Sequence, residues 1–367
     1  MKKIWCITLG SKLASSGMAL AGYSSCKALQ RHANVEVVIT QVPDLKRKKV
    51  LLERYNPDVI FMGGLAWYDF YRRFYVGLEE YNGLLFPQLI TGNMDWSTVL
   101  PDKDVYSKTI HLLNNRCTKV IGRSLITINH GIYNGLDYNN MVYVPECFDE
   151  EIFKPLSTSE YRNKYSLPQD KIIIGLFGGA SKGIIEVVEA LKKLWDLNVD
   201  IKNNVVCLWL PDARYESSKN LFKQEVVDFK DNFKRITLER YSPSQISELL
   251  NCCDVLAAPS RHETFGRVHV EAQMCGVPII TSRSYVTSCH ENVVHNRTGL
   301  LVGAKTMQEN ACKANIEELV SALNSLIVDK DLRDTMSKNA HAWATEKYSY
   351  KTVSGQLMKL FNDCDPQ

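Results

Sequence analysis

Short apolar runs alternate with longer amphipathic segments along the whole chain, and this alternation limits the possible folds more than any other feature of the sequence. Such runs are typical of buried strands, and the helical periodicity between them is typical of strand–helix–strand units around a parallel sheet. The predicted strands are 4–9, 35–40, 58–62, 88–91 and 119–122 in the first half, and 172–177, 205–210, 235–238, 255–258, 277–281 and 299–302 in the second. The sequence therefore predicts an α/β fold with parallel sheets.

A polar segment with three prolines divides the chain into two halves that share the same wiring. Pro145, Pro155 and Pro168 lie in this segment. The chain has 367 residues, of which 45% are hydrophobic, so it is long enough for two domains of ordinary size. We predict two facing Rossmann-like domains with a cleft between them, in which ligands bind beyond the carboxyl ends of the strands.

The composition excludes several classes of protein. A formal charge of +3 creates no field that requires a nucleic-acid partner, and no apolar stretch approaches the roughly 20 residues of a membrane-spanning helix. Eleven cysteines without a Cys-x-x-Cys pair indicate reduced thiols rather than zinc ligands or a disulfide framework. The apolar run after Lys2 and Lys3 is too short for a signal peptide, so we expect a soluble, cytoplasmic protein.

The segment with the most chemical information is 254–278, which reads DVLAAPSRHETFGRVHVEAQMCGVP. It predicts a strand, a loop, a helix that begins near Gly266, and a turn. The amide groups of Phe265 to Val268 can bind a diphosphate, because a helix N-terminus carries about half a positive charge. Glu271 can accept hydrogen bonds from a vicinal diol such as a ribose, and Glu263 is placed where the sugar beyond the phosphates would lie.

These residues resemble the retaining, nucleotide-sugar-dependent glycosyltransferases of family 4, which have the GT-B fold. The hallmark of that family is a pair of glutamates separated by seven residues within a Pro-Ser, Glu, Phe-Gly, Glu-Ala, Cys-Gly-Val-Pro frame, and this chain has every element. Segments 144–155 and 346–350, and Gly299–Val302 preceded by Glu291, are also similar to family segments. In the first of these, Glu146-Cys147 stands where relatives have Asn-Gly.

The resemblance implies a division of labour between the two domains. Residues 1–150, joined by a C-terminal helix at about 348–367 that returns to them, would form the acceptor domain. Residues 151–347 would form the domain that binds the nucleotide-sugar donor. A second phosphate element, Phe177 to Gly183, again runs from a strand into a helix, and Lys182 is placed in it as a point charge on the diphosphate.

The chain departs from its relatives at two positions. Gly179 stands where relatives usually carry an arginine, and our hypothesis is that Arg267 or Arg261 replaces that cation. Relatives often place a histidine after the fourth strand, where this chain reads GNMDW. We expect Asn93 or Asp95 of that segment to meet the transferred sugar or the acceptor.

The resemblance implies a set of site residues and a reaction. The predicted catalytic residues are Glu263, Lys182 and Asn93, and the predicted donor-binding residues are Gly17, Gly178, Gly179, Lys182, Glu263, Phe265, Gly266, Arg267, Val268 and Glu271. The reaction would move a hexose from a UDP- or GDP-sugar to a glycan, glycoprotein or lipid-linked acceptor, with retention of configuration. Neither a cofactor nor a divalent metal is expected, because Lys182 and two helix N-termini stabilise the departing diphosphate.

Three sequence features of the first half allow a functional and a structural interpretation. We interpret Asp102 and Asp104 as a solvated turn rather than a metal pair, and the aromatic cluster from Trp67 to Tyr75 as core rather than an acceptor platform. The basic run 46–49 precedes Val50, Leu51 and Leu52, and we favour a solvated helix face over contact with an anionic membrane.

Two other functions stay open from the sequence: a catalytically silent nucleotide-sugar-binding protein and a nucleotide-sugar epimerase on the same fold. The absent arginine and histidine suggest the first, and the glutamate frame argues against the second. The expected setting is a bacterial cytosol or the host cell of a large DNA virus.

Overall fold

The computed structural model describes residues 1–8, 17–65, 70–89, 102–211, 232–236, 241–284, 287–308 and 311–365. The chain divides into two compact units. One consists of Met1–Asp149 and Lys347–Gln367, and the other of Glu150–Glu346. Each unit is built on a sheet of its own, and the α/β class is confirmed.

In the described part of the first unit, a parallel sheet has the strand order β2-β1-β3-β4-β5-β6. The strands are β1 (Lys2–Thr8), β2 (Val35–Gln41), β3 (Val59–Leu65), β4 (Leu84–Leu89), β5 (Val120–Gly122) and β6 (Met141–Tyr143). The helices between them are α1 (Gly17–Arg31), α2 (Leu45–Tyr55), α3 (Lys103–Asn115) and α4 (Leu125–Tyr133), with a π-helix at Phe70–Tyr75 and a 3-10 turn at Tyr138–Asn140.

Helix α1 packs closely on β3 because both elements carry glycine where they cross. A Cβ atom on Gly22 of the helix would lie 2.3 Å from the carbonyl carbon of Gly63 in the strand. Any side chain there would push the helix off the sheet. Residues Ile4 to Ile7 of β1 are fully buried between the helical layers, as expected for a continuous apolar run in a parallel sheet.

The second unit holds a sheet whose described strands have the order β13-β12-β11-β10-β7-β8-β9. The strands are β7 (Ile172–Phe177), β8 (Val205–Leu210), β9 (Phe233–Arg235), β10 (Val255–Ala257), β11 (Ile279–Arg283), β12 (Gly299–Gln308) and β13 (Ala311–Ala314), of which only β13 runs antiparallel to its described neighbour. The helices are α5 (Thr158–Lys164), α6 (Ile184–Leu197), α7 (Val199–Asn204), α8 (Pro243–Leu250), α9 (Arg267–Met274), α10 (Ile316–Val328) and α11 (Lys330–Tyr348), with 3-10 turns at Ala180–Lys182 and Cys289–Glu291.

The last helix, α12 (Tyr350–Asp363), belongs to the first unit. Its side chains Val353, Leu357 and Phe361 are fully buried against that sheet. The ring of Phe361 lies 4.6 Å from that of Phe86 in β4, centroid to centroid. The return of the C-terminal helix, which the resemblance implied, is therefore confirmed.

The observed strands differ from the sequence-based bounds at several places, most of all in β12, which ends at Gln308 rather than at Val302. Strand β4 begins at Leu84 rather than at Gln88, although Pro87 lies inside it. Strand β9 begins at Phe233 rather than at Arg235. Strands β6 and β13 were not predicted, because β6 is only half-buried and β13 contains Lys313, so neither is a buried apolar run.

The prediction that the basic run 46–49 forms a solvated helix face is wrong at Lys48 of α2. Its neighbours in the run are exposed, but Lys48 is only 2% exposed. Its Nζ donates hydrogen bonds to the carbonyls of Arg73, Phe74 and Val76, where the π-helix ends. Burial lowers the pKa of Lys48 to about 8. The ammonium group therefore caps the π-helix.

The other open features of the first unit also have structural roles. Phe70 and Phe74 of the aromatic cluster are fully buried, whereas Trp67 and Tyr68 lie outside the described residues. Asp102 caps α3 by accepting hydrogen bonds from the amides of Asp104 and Val105. Among the described residues, no helix is long and apolar enough to cross a membrane, and no cluster of three His, Cys, Asp or Glu side chains is arranged to hold a metal ion.

Candidate functional site

Two loops that are distant in sequence meet at the carboxyl end of the second sheet. Strands β7 and β10 are parallel neighbours, so the loops that follow them leave the same edge. The amide of Arg261 donates to the carbonyl of Ser181 at 2.9 Å. A Cβ on Gly183 would lie 2.2 Å from the carbonyl oxygen of Pro259, so this close approach requires glycine. The structure thus brings both predicted phosphate elements together.

The first of these loops is held by strand β8. The amide of Gly178 donates to the Leu210 carbonyl at 2.8 Å, and the Nε1 of buried Trp209 donates to the Gly178 carbonyl at 3.4 Å. Gly178 has a φ of 118°, which only glycine adopts readily. Gly179 follows, and a 3-10 turn then leads to Gly183, which caps α6. Hydrogen bonds from β8 therefore fix the position of the loop, and α6 begins directly after it.

The second loop leads into α9, which begins directly after Gly266, as the sequence predicted. Gly266 has a φ of 83°, and a Cβ on it would lie 2.4 Å from Nδ1 of His269. The first amides of a helix, here those at Arg267 and Val268, have no acceptor within the helix and are oriented to bind an anion. The side chain of Phe265 is buried, and its carbonyl accepts a hydrogen bond from Asn292 Nδ2, so any contact of Phe265 with a ligand would come from its backbone.

The charged side chains of the site form two ion pairs. Lys182 Nζ donates to Glu263 Oε2, and Arg267 Nη2 donates to Glu271 Oε1 at 3.3 Å. The backbone of Glu263 is tied to a third loop, because the Ser288 amide donates to the Glu263 carbonyl at 2.9 Å. Both predicted glutamates and both predicted cations thus lie at one end of the sheet.

Arg261 has a different partner. Its Nε donates to Oε1 of Glu186 at 2.7 Å, and Glu186 is a buried residue in the first turn of α6. This pair ties the loop after β10 to the helix after β7. Two arginines were considered as replacements for the arginine that relatives carry at position 179. Arg261 is paired with Glu186 and connects two elements of the second unit, whereas Arg267 lies in the first turn of α9, where the phosphates are expected.

His269 is the site residue that the sequence reasoning missed. It is fully buried beneath Gly266, and its Nε2 lies 3.2 Å from the carbonyl oxygen of Ala258. Because a carbonyl only accepts, this contact places the proton on Nε2. Burial lowers the pKa of His269 to about 4, so the ring is neutral at pH 7. The one signal in the sequence is a histidine three residues after the glycine that starts a helix.

The remaining predicted residues lie in the first unit or outside the described residues. Gly17 is the first residue of α1 in the first unit. Asn93 and Asp95 lie outside the described residues.

Comparison with known sequences gives the second unit a family. The family model described as "Glycosyl transferases group 1" matches residues 157–343. The capsular polysaccharide biosynthesis glycosyltransferase CapM of Staphylococcus aureus is 25% identical over 210 residues, which are 56% of this chain and 50% of CapM. A D-inositol 3-phosphate glycosyltransferase of Corynebacterium urealyticum is 31% identical over 226 residues, 58% of this chain and 49% of that protein. The chain spans about half the length of the curated relatives it matches.

Solved structures show the same fold over nearly the whole chain. HepE of Anabaena, in complex with UDP, has 17% sequence identity and a TM-score of 0.76, and the likeness covers 99% of this chain and 100% of HepE. Sucrose-phosphate synthase from Thermosynechococcus elongatus has 16% identity and a TM-score of 0.76 over 99% of both chains. These likenesses confirm the GT-B fold. Because the family model spans just over half of the sequence, including both loops of the candidate site, the chain belongs to the group 1 glycosyltransferases.

Proposed function

We propose that this glycosyltransferase is a retaining enzyme of family 4. It would move a hexose from a nucleotide-diphosphate sugar to a glycan, glycoprotein or lipid-linked acceptor, in the cytoplasm and without a divalent metal. The observation that carries the proposal is the contact of the two loops after β7 and β10, which brings Lys182 and Glu263 together beside two helix N-termini. UDP is the first candidate nucleotide, because HepE binds UDP and UDP-glucose, and GDP is the second.

Each residue of the site has a chemical task in this proposal. Lys182 and the first amides of α9 would bind the diphosphate, and Arg267 would supply the cation that Gly179 lacks. Glu271 would accept hydrogen bonds from the ribose hydroxyls, and Glu263 from the hydroxyls of the hexose. Gly178, Gly183 and Gly266 have positive φ angles and shape the two loops beside the proposed phosphate position. Gly17 and Asn93 stay proposed contacts of the donor or the transferred sugar.

The proposed reaction needs electrostatic stabilisation rather than a side-chain nucleophile. The bond between the anomeric carbon and the phosphate oxygen breaks, and the acceptor hydroxyl attacks the anomeric carbon from the face that the diphosphate leaves. The acceptor's proton passes to the departing phosphate oxygen. Negative charge develops on that oxygen, and Lys182 and the helix N-termini would stabilise it in place of a metal ion.

We expect the enzyme to release UDP or GDP from its sugar donor at the same rate with and without a strong chelator. The reason is that the charges on the diphosphate are met by Lys182, Arg267 and backbone amides. The measurement is donor hydrolysis, followed as nucleotide release, in EDTA and after addition of excess Mn²⁺. Loss of hydrolysis in EDTA with recovery on Mn²⁺ would contradict the metal-independent reaction. Binding of the donor without any hydrolysis or transfer would instead favour the silent nucleotide-sugar-binding protein.

A further inference from the structure

Each of the two cations that the proposed function assigns to the diphosphate is paired with a carboxylate that it assigns to the donor's hydroxyl groups. Lys182 is paired with Glu263, and Arg267 with Glu271. All four side chains are largely withdrawn from solvent: Lys182 is 28% and Glu263 14% exposed, and Arg267 is 15% and Glu271 12% exposed. The side chains proposed for the phosphates are thus paired with the side chains proposed for the sugars.

We propose that these two ion pairs exchange partners when the donor binds. The diphosphate takes over Lys182 and Arg267, and the released carboxylates of Glu263 and Glu271 then accept hydrogen bonds from the hexose and ribose hydroxyls. This inference rests on the proposed function of the site. It makes recognition of the sugar depend on recognition of the phosphates, so that a free hexose binds weakly and a sugar linked to a diphosphate binds well.

The charges favour this exchange. A diphosphate carries more negative charge than a carboxylate and offers several acceptor oxygens to each cation, so both cations gain by moving to it. A carboxylate beside the diphosphate is repelled by its negative charge, and a hydrogen bond from a hydroxyl group to the carboxylate offsets that repulsion. The sugar and the ribose supply those hydrogens, and the exchange therefore ends with every charged group paired.

The backbone around the site permits the exchange without rearrangement. Glu263 is fixed through its carbonyl, which accepts from the Ser288 amide, so its position does not depend on Lys182. Lys182 has a flexible four-carbon stem that can turn from one acceptor to another. Arg267 and Glu271 are one turn apart on α9, and Arg267 is the first residue of the turn whose amides would face the phosphates.

The exchange gives one substitution opposite effects on two ligands. In Glu271→Gln, Arg267 loses its carboxylate partner, so pyrophosphate is expected to bind about fivefold tighter, whereas UDP, which also presents the ribose, binds about fivefold more weakly. In Glu263→Gln, Lys182 loses its ion pair with Glu263 instead. Pyrophosphate and UDP then both bind about fivefold tighter, and UDP-glucose binds about fivefold more weakly, because the hexose loses its charged acceptor.

The test is calorimetric titration of the full chain and both variants with pyrophosphate, UDP and UDP-glucose. Glu317→Gln is the matched control: it removes the same charge and opens the Lys193–Glu317 ion pair, of 2.6 Å, in the same unit. It is expected to leave all three affinities within twofold of wild type. Thermal unfolding of each variant checks that it is folded.

The outcomes separate the inference from the proposed function. Tighter pyrophosphate binding by both site variants, with weaker UDP-glucose binding, supports the exchange. Unchanged or weaker pyrophosphate binding in both variants, while wild type binds UDP-glucose, overturns the exchange and leaves the proposed function in place. If wild-type protein binds none of the three ligands, and neither GDP nor GDP-glucose in the same titration, the proposed function itself is contradicted.

Discussion

Replacing Lys182 with methionine is expected to lower donor turnover by about 10²- to 10³-fold while the protein stays folded. Removal of one preorganised donor from the place where negative charge develops has that effect in other enzymes. Methionine keeps most of the aliphatic stem but leaves Glu263, with which Lys182 is paired, facing the departing diphosphate. Lys182→Met therefore removes an attraction and leaves a repulsion at the same point.

The measurement is kcat for donor hydrolysis, with and without an acceptor, together with the melting temperature. Lys193→Met is a suitable control, because Lys193 is also a lysine of the second unit in an ion pair, with Glu317, but is half exposed on α6. Its turnover should stay within about twofold of wild type, since exposed ion pairs contribute little. If Lys182→Met retained more than a third of wild-type turnover, Lys182 would not stabilise the leaving group.

Replacing Arg123 with methionine is expected to lower the free energy of unfolding of the first unit by about 3–5 kcal/mol. Arg123 and Glu146 form an ion pair in which both side chains are buried, between the residue after β5 and the segment after β6. Without the arginine, the carboxylate of Glu146 would be left in the interior without its counter-ion. The cost arises from that uncompensated charge rather than from the lost attraction.

A double variant separates these two causes. In Arg123→Met with Glu146→Met, neither charge of this pair remains, so most of the lost stability should return when unfolding in urea is followed. Arg72→Met is the control for an exposed pair in the same unit, with Asp102 at 2.7 Å, and should cost under about 1 kcal/mol. A double variant as unstable as Arg123→Met alone would contradict this explanation.

The sequence predicted the two loops of the site well, because each loop contains residue types that are typical of a phosphate-binding turn. Gly178 and Lys182 follow a buried strand, and Gly266 precedes a helix, so both phosphate elements could be recognised as strand–loop–helix turns. Their contact could not be recognised, because Lys182 and Glu263 are 81 residues apart and only the pairing of β7 with β10 joins their loops. A single sequence contains no comparable signal for the order of strands in a sheet.

Interactions with the backbone were the main part of the structure that the sequence did not predict. The three carbonyls that hold Lys48 can belong to any residue type, so the basic run was interpreted as one uniform exposed face. His269 likewise bonds to a carbonyl and packs against a glycine, and neither partner is distinctive. In the sequence, Glu146 stood out only because relatives have Asn-Gly at this point. The structure shows its role, which is a buried ion pair with Arg123.

A crystal structure of the protein with UDP-glucose tests the central claim most directly. We expect the diphosphate oxygens within about 3 Å of Lys182 Nζ and of the first amides of α9, with Glu271 on the ribose hydroxyls and Glu263 on the hexose. A diphosphate bound away from these groups, with Lys182 still paired to Glu263 and Arg267 to Glu271, would contradict the account.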